Sequence, residues 1–177
     1  MSNTQCTGPV WKFGDRISTD FMVPGHRVLA NPNLTPAEAA KFCMEANRPG
    51  WATKEVRRGD ILVGGVNFGC GSSRNGSAPL KELGISAVLA ESISRIHLRN
   101  AVNTGLPTLV APGITAFVRE GERLQIDIVT GEVKNLDKGT IMYAEPWEEG
   151  TPPYDILMAG GLDAYMRAKL KARDMTA

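Results

Sequence analysis

The sequence predicts an α/β domain that combines a parallel sheet core with an additional antiparallel β patch. A continuous apolar run over residues 61–66 is typical of a strand buried on both faces, and helical segments alternate with further short apolar runs after it. Strand–helix–strand units in succession imply parallel strands joined by right-handed crossovers. Strict alternation of apolar and polar side chains over residues 123–129 predicts the antiparallel patch.

Length and composition are those of one globular domain. The chain has 177 residues, of which 42% are hydrophobic and 22% are charged. We expect residues 1–150 to form the domain and residues 151–177 to extend it as a helical tail. The 20 basic and 19 acidic side chains form no basic stripe, which argues against a nucleic-acid partner. The sequence has no apolar run of membrane-spanning length and no signal peptide, so we expect a cytoplasmic protein with no membrane partner.

Start signals define the elements of the first half of the chain. Residues 10–13 predict a short strand and residues 14–20 a polar loop. Thr35, followed by Pro36 and Glu38, predicts a capping box and a helix that runs to about residue 46.

The second half continues the pattern with helices closed by glycine. We expect Ser77 to cap a helix that carries Pro79 in its first turn and stops at Gly84. A helix over residues 92–103 then ends at Gly105. The remaining predicted elements are strands at 86–90, 107–110, 123–129, 133–136 and 140–143, a proline-containing linker at 146–153, and a helix at 154–172 that Gly160 and Gly161 interrupt and whose apolar face is Leu162, Tyr165, Met166 and Leu170.

The cysteines give no sign of a metal site. Cys6, Cys43 and Cys70 are odd in number and include no Cys-x-x-Cys pair. Neither a disulfide framework nor a self-contained zinc or iron–sulfur site is therefore predicted, and we assign no metal ligand to this chain.

A glycine-dense segment at residues 64–79 is the most informative feature for function. Its glycines permit positive φ angles and a close backbone approach to a ligand. It delivers Ser72, Ser73 and Arg74 to the start of a predicted helix, where unpaired N–H groups favour an anion. We therefore expect a carboxylate-bearing substrate.

Spacing argues against three familiar glycine-loop chemistries. A phosphate-binding loop needs a lysine that does not follow Gly69 or Gly71. The dinucleotide fingerprint needs a third glycine where Arg74 stands, and the nucleophile elbow needs a glycine where Asn75 stands. A serine hydrolase would also need one of only two histidines as its base.

The motif Gly-x-Gly-Ser-Ser-Arg at residues 69–74, with Ser18-Thr19-Asp20 before it and residues 92–100 after it, resembles the aconitase superfamily. The resemblance covers roughly residues 15–110 and is greatest to the small subunits of the 3-isopropylmalate dehydratase group. It implies a swivelling β/β/α domain of a hydro-lyase of leucine biosynthesis. It also implies a 4Fe–4S cluster that a separate large subunit binds.

The resemblance also implies roles for individual residues. Ser72 corresponds to the catalytic base, Ser73 and Arg74 to contacts with a substrate carboxylate, and Asp20 to a further catalytic residue across the loop. Without the resemblance, the two serines could cap a helix, Arg74 could pair with a surface acid, and Asp20 could be a turn residue. Arg27 could bind a distal carboxylate or be solvated.

A serine base must act as an alkoxide, and this chain alone cannot supply one. An arginine about 4 Å away contributes roughly 4 kcal/mol at an effective dielectric of about 20, and a helix N-terminus adds about 1 kcal/mol. Because one pKa unit corresponds to about 1.36 kcal/mol, these two interactions lower the pKa of the serine hydroxyl too little, and it stays far above neutrality. The charge of the cluster and the exclusion of water at a subunit interface must lower this pKa further. We therefore expect no turnover by the isolated chain.

Two departures from the family pattern concern the site. Most relatives have Glu and then His or Gln after Arg74, whereas this chain has Asn75-Gly76-Ser77, so the acid that steadies the arginine in the family is absent and Arg74 could be held differently. Residues 26–31 differ from the family patterns that select the substrate side chain, which leaves isopropylmalate, dimethylmalate, citramalate and homoaconitate-like acids open.

A non-catalytic carboxylate-binding module and a stand-alone isomerase are rival functions. We expect His97 to be structural.

Overall fold

A computed structural model describes residues 4–71 and 74–174 of the chain. The strands are β1 (Gln5–Lys12), β2 (Ile61–Gly64), β3 (Ala87–Ala90), β4 (Thr108–Val110), β5 (Arg123–Asp127), β6 (Glu132–Asn135) and β7 (Thr140–Tyr143). The helices are α1 (Thr19–Met22), α2 (Gly25–Ala30), α3 (Pro36–Ala40), α4 (Ser77–Glu82), α5 (Arg95–Thr104), α6 (Ile114–Phe117), α7 (Pro152–Met158) and α8 (Leu162–Asp174), with a π-helical turn at Trp51–Glu55.

One seven-stranded sheet, in the order β4-β3-β2-β1-β5-β6-β7, contains both predicted parts. β1, β2, β3 and β4 are parallel, whereas β5, β6 and β7 are antiparallel to their neighbours. The two parts meet at β1, whose residues 5–9 pair with β5 and whose residues 10–12 pair with β2. The parallel core and the antiparallel patch are confirmed, and β1 is longer than the predicted strand because β5 pairs with its first half.

Two apolar cores lie on opposite faces of the sheet. In β2, Leu62 packs into one core with Trp51, Phe68 and Leu80, and Ile61 and Val63 pack into the other. All four residues of β2 are buried. This is the environment that a continuous apolar run predicts for a central parallel strand.

The predicted capping box is present, but its helix is shorter than expected. Thr35 accepts a hydrogen bond from the Glu38 N–H, and the Glu38 carboxylate accepts one from the Thr35 N–H at 2.9 Å. The helix ends at Ala40 rather than near residue 46. Met44 has a φ of +60° and donates its N–H to the Phe21 carbonyl at 2.8 Å, so a tertiary hydrogen bond replaces the helical one.

The prediction that Ser77 caps the following helix is wrong. Ser77 is the first residue of α4, and its N–H donates to the Asn75 side-chain oxygen at 3.1 Å. Pro79 lies in the first turn, and Gly84 follows the helix with a φ of +85°, both as predicted.

The α5 helix also starts later than expected, at Arg95 instead of residue 92. Ser94 is its cap, because its side chain accepts a hydrogen bond from the His97 N–H. The preceding residue, Ile93, bridges to Phe68 and is therefore held extended.

The C-terminal helices pack at the end of α5. Gly160 and Gly161 separate α7 from α8, as predicted, and Gly161 approaches the carbonyl of Asn103 so closely that a Cβ would lie 2.7 Å from it. The Lys81 ammonium donates to the Gly160 carbonyl at 2.8 Å. The predicted apolar face of α8 is largely exposed, with 37% of Leu162, 45% of Met166 and 53% of Leu170 accessible.

Among the helices that the structure describes, none has the length and apolarity that crossing a membrane requires.

Because β1 closely approaches the turn before β2, we expect alanine substitutions at two glycines to differ sharply in their effect on stability. A Cβ at Gly8 would lie 2.0 Å from the Gly59 carbonyl oxygen, whereas a Cβ at Gly14 would meet nothing within 4 Å. We expect Gly8→Ala to lower the free energy of unfolding by about 1–3 kcal/mol. We expect Gly14→Ala to leave it unchanged or raise it slightly. Urea unfolding of both variants measures the difference, and equal midpoints would contradict it.

Candidate active site

The candidate site lies at the carboxyl edge of the parallel strands, where the segments that follow β1, β2 and β3 meet. The Gly69 N–H donates to the Ile17 carbonyl at 2.8 Å, and the Thr19 N–H donates to the Cys70 carbonyl at 2.8 Å. On its other side the loop is held by Ser94, whose hydroxyl donates to the Gly69 carbonyl at 2.6 Å. The carboxyl edge of such a sheet is the usual place for ligand binding in α/β folds.

The glycines of the loop are required by close packing. A Cβ at Gly65 would lie 1.9 Å from a carboxylate oxygen of Asp15, and a Cβ at Gly69 would lie 2.2 Å from the His97 ring. Gly71 has a φ of +85° and would place a Cβ 3.0 Å from the hydroxyls of Ser18 and Thr19. These glycines therefore allow the loop and the segment after β1 to pack closely together.

Two of the predicted site residues are brought together by this packing. The Arg74 guanidinium donates through Nη1 to Oδ1 of Asp20, across 54 residues of sequence. The side chain of Arg74 is 25% exposed and that of Asp20 is 56% exposed. Because exposed ion pairs add at most about 1 kcal/mol to stability, the main consequence of this pair is to orient the guanidinium. Asp20 is also the surface acid that the simpler interpretation of Arg74 required.

Gly25, at the start of α2, provides the space for the guanidinium. A Cβ at Gly25 would lie 2.9 Å from Nη2 of Arg74. Beside Arg74 there is a cleft of about 300 Å³, lined mainly by the apolar side chains of Val23, Leu34, Ala39 and Ala78. A cation at the edge of an apolar cleft suits a carboxylate that carries an aliphatic branch.

Arg27 lies two residues beyond Gly25 on α2. It is exposed, and its guanidinium carbon stacks 4.0 Å from the centroid of the Phe42 ring. Ser72 and Ser73, the predicted base and carboxylate contact, lie outside the described residues, although Gly71 and Arg74 on either side of them are described.

His97 packs beneath the loop, where a Cβ at Gly69 would meet its ring; its structural role stays a prediction. Its side chain is fully buried and meets the Phe68 ring edge to face, with the centroids 5.3 Å apart. Burial lowers the pKa of His97 to about 4, so the ring is neutral at pH 7.

The described residues do not fit an iron–sulfur cluster. Cys6 lies on β1, where burial raises the pKa of its thiol to about 11. Cys43 is fully buried, and burial likewise raises its pKa. Cys70 lies in the glycine loop. Over residues 4–71 and 74–174, no three His, Cys, Asp or Glu side chains come close enough to hold a metal ion.

Sequence reasoning missed three residues that shape the site. Gly25 makes room for Arg74, the Asn75 side chain accepts a hydrogen bond from the first N–H of α4, and Asp15 accepts one from the Val66 N–H at 2.8 Å. Asx caps and Pro-Gly turns are readable signals. Their partners are distant in sequence, so the signals did not reveal what these residues position.

Residues 22–113, about half of the chain, match the family of the aconitase C-terminal domain. The chain is 44% identical over 165 residues to the isopropylmalate/citramalate isomerase small subunit of Methanocaldococcus jannaschii, covering 92% of this chain and 94% of that one. It is 43% identical over 157 residues to the methanogen homoaconitase small subunit of Methanothermobacter thermautotrophicus, covering 88% and 86%.

A solved structure agrees with these relatives. The crystal structure of 3-isopropylmalate dehydratase from Methanocaldococcus jannaschii superimposes with a TM-score of 0.88 at 33% identity, over 98% of this chain and 99% of that chain. The chain belongs to the aconitase C-terminal domain family. Its fold is the swivelling β/β/α domain that the sequence resemblance implied.

The burial of His97 predicts a loss of stability in mild acid. The native state binds the proton only near pH 4, whereas an unfolded histidine binds it near pH 6.5. The stability that the native state gains from keeping His97 neutral is therefore fully present above pH 6.5. As the pH falls towards 4, this contribution declines by about 3 kcal/mol in total. Urea unfolding from pH 7.5 to 4 measures the decline.

We expect His97→Leu to remove this part of the pH dependence. His26 is exposed, so His26→Asn should retain the wild-type slope and serves as the control. Equal slopes in the wild type and in His97→Leu would contradict the assignment.

Proposed function

We propose that this chain is the small subunit of a hydro-lyase of the 3-isopropylmalate dehydratase type. The enzyme dehydrates and rehydrates a branched hydroxy-dicarboxylic acid, 2- and 3-isopropylmalate in our main proposal. A 4Fe–4S cluster carried by a large subunit supplies the Lewis acid for the substrate hydroxyl. The observation that carries the proposal is the Arg74–Asp20 pair at the mouth of the glycine loop, in a chain with the fold of this family.

Arg74 binds a substrate carboxylate. A guanidinium offers five N–H donors in a planar fork, which matches a carboxylate in a bidentate manner. The contact with Asp20 uses Nη1, and in this proposal the other N–H groups of the fork bind the substrate. Asp20 thus takes the place of the acid that most relatives have after the arginine.

Ser72 removes the proton beside the carboxylate, and Ser73 contacts the same carboxylate as Arg74. Both stand between Gly71 and Arg74 in the sequence. The exposure of Asp20 supports a site that is open to water in this chain alone. The large subunit closes the site, excludes water and strengthens the electrostatic interactions that an alkoxide needs.

The cleft beside Arg74 accepts the aliphatic branch of the substrate. Its apolar walls favour an isopropyl group over a polar substituent.

One observation favours a second candidate: Arg27 is exposed on α2, beyond Gly25, and could bind the distal carboxylate of a homoaconitate-like acid. Dimethylmalate and citramalate are smaller acids of the same type, and a non-catalytic carboxylate-binding module would use Arg74 alone. The cytoplasmic location inferred from the sequence stays a prediction.

Reconstitution with the large subunit tests the function directly. We expect no turnover by the purified chain and iron-dependent turnover after anaerobic mixing with the cluster-loaded large subunit. Isopropylmalate, citramalate, dimethylmalate and homocitrate are then compared by kcat/KM. Ser72→Ala should abolish turnover while leaving subunit association unchanged. Turnover by the chain alone would support a stand-alone isomerase, and full activity of Ser72→Ala would support a binding module.

The fit between Gly25 and Arg74 predicts that a methyl group added at Gly25, beside the guanidinium, raises KM. In Gly25→Ala the new Cβ must displace the end of a flexible arginine side chain, which costs little stability but moves the guanidinium. We expect a KM increase of about tenfold, equivalent to about 1.4 kcal/mol, with an unchanged melting temperature. Arg74→Lys should raise KM by at least as much, because it loses the bidentate fork.

Gly14→Ala is the matched control, since a Cβ there meets nothing within 4 Å. A wild-type KM in both Gly25→Ala and Arg74→Lys would show that the guanidinium does not bind the substrate.

A further inference from the structure

Four exposed side chains at the carboxyl edge of the parallel strands have no role in the site described above. They are two arginines and two aliphatic residues, which we define together as the edge patch: Arg16, Val66, Arg95 and Ile96. Val66 is 52% exposed and Ile96 is 49% exposed. Arginine beside apolar side chains is a composition typical of protein–protein interfaces.

Backbone hydrogen bonds connect the segments that carry the edge patch. The Arg16 N–H donates to the Val66 carbonyl at 2.7 Å, which joins the segments after β1 and β2. Two residues after Val66, the Phe68 carbonyl accepts the Ser94 N–H at 2.9 Å, and α5 begins at the next residue, Arg95. The patch therefore lies along one edge of the sheet, on the same segments that form the glycine loop and its supports.

The chain does not neutralise the two arginines of the edge patch. Within the part of the chain that the structure describes, neither Arg16 nor Arg95 forms an ion pair or a side-chain hydrogen bond. Their guanidinium groups are exposed and keep their N–H donors available for a partner.

The acids of the same edge are engaged inside the chain. The Asp15 carboxylate accepts the Val66 N–H at 2.8 Å. Asp20 pairs with Arg74. Glu91, which follows β3, accepts two N–H groups at the start of α6. Any carboxylate that pairs with the edge patch must therefore come from another molecule.

Both arginines stand where the local backbone disfavours them. Arg16 has a φ of +53°, in the left-handed region that favours glycine. Arg95 is the first residue of α5, where the positive end of the helix dipole opposes a cation, and the described first turn of this helix contains no acid. Residues that break local rules in this way occur preferentially at functional sites.

We propose that the edge patch is the contact through which this chain docks on an acidic surface of the large subunit. Arg16 and Arg95 pair with carboxylates of that subunit, and Val66 and Ile96 are buried beside them. The proposal rests on the function proposed above. The partner is a protein rather than the substrate, because a small diacid bound at Arg74 would leave both aliphatic side chains exposed.

Two substitutions separate docking from folding, because each should suit the isolated chain. Arg16→Gly relieves a left-handed backbone, and Arg95→Glu places an acid at a helix N-terminus. We expect a melting temperature equal to or above that of the wild type for both. We expect each variant to bind the cluster-loaded large subunit about tenfold more weakly at low ionic strength, with a smaller loss at high salt. Anaerobic titration calorimetry measures binding, and Lys54→Glu, an exposed charge change elsewhere, is the control.

The apolar part of the patch has a matched control. Ile96 is 49% exposed on α5, and Ile141 is 50% exposed on the edge strand β7. We expect Ile96→Asp to weaken binding of the large subunit about tenfold, because a carboxylate then replaces a buried aliphatic group and repels an acidic partner. Ile141→Asp should bind like the wild type.

The proposal is overturned if Arg16→Gly, Arg95→Glu and Ile96→Asp all bind the large subunit like the wild type, or if Ile141→Asp weakens binding as much as Ile96→Asp. It is also overturned if the arginine variants raise KM at saturating large subunit without weakening association, which would assign both arginines to the substrate. Turnover by the reconstituted wild type with normal binding by the variants would overturn the docking contact alone. Absence of both binding and turnover in the wild type would overturn the proposed function as well.

Discussion

The candidate site depends on how closely two backbone segments approach one another. Hydrogen bonds from Gly69 to Ile17 and from Thr19 to Cys70 join the glycine loop to the segment after β1. The absence of side chains at Gly69 and Gly71 permits this contact, since a Cβ at either would meet His97 or the hydroxyls of Ser18 and Thr19. With the two segments fixed, Asp20 and Arg74 are within reach of each other.

The sheet supplies the rigid support for this approach. β1 pairs with β5 through its first half and with β2 through its second half, so the segment that follows it leaves a strand that is anchored in the sheet. Behind the loop, the buried ring of His97 and the Ser94 hydroxyl hold Gly69 from α5. The front of the loop carries the partly exposed Arg74 and faces the solvent, where a second subunit can complete the site.

Patterns that depend on near neighbours could be predicted well. The capping box at Thr35, the buried strand β2 and the stop at Gly84 each arise from interactions within a few residues. The end of α3 could not be predicted, because the N–H of Met44 is taken by Phe21 through a tertiary contact. The start of α4 was misplaced by one residue, because the Asn75 side chain, rather than that of Ser77, accepts the first free N–H.

The sequence by itself determined the fold class and the glycine loop, because these follow from local periodicity, backbone freedom and a recognisable motif. It also predicted which polar residues form the site. Only the tertiary structure decided that Asp20 pairs with Arg74, that Gly25 leaves space for the guanidinium, and that the apolar face of α8 is left exposed. The physical reason is distance along the chain. Contacts between residues that are dozens of positions apart depend on the packing of the whole sheet, and no local pattern encodes them.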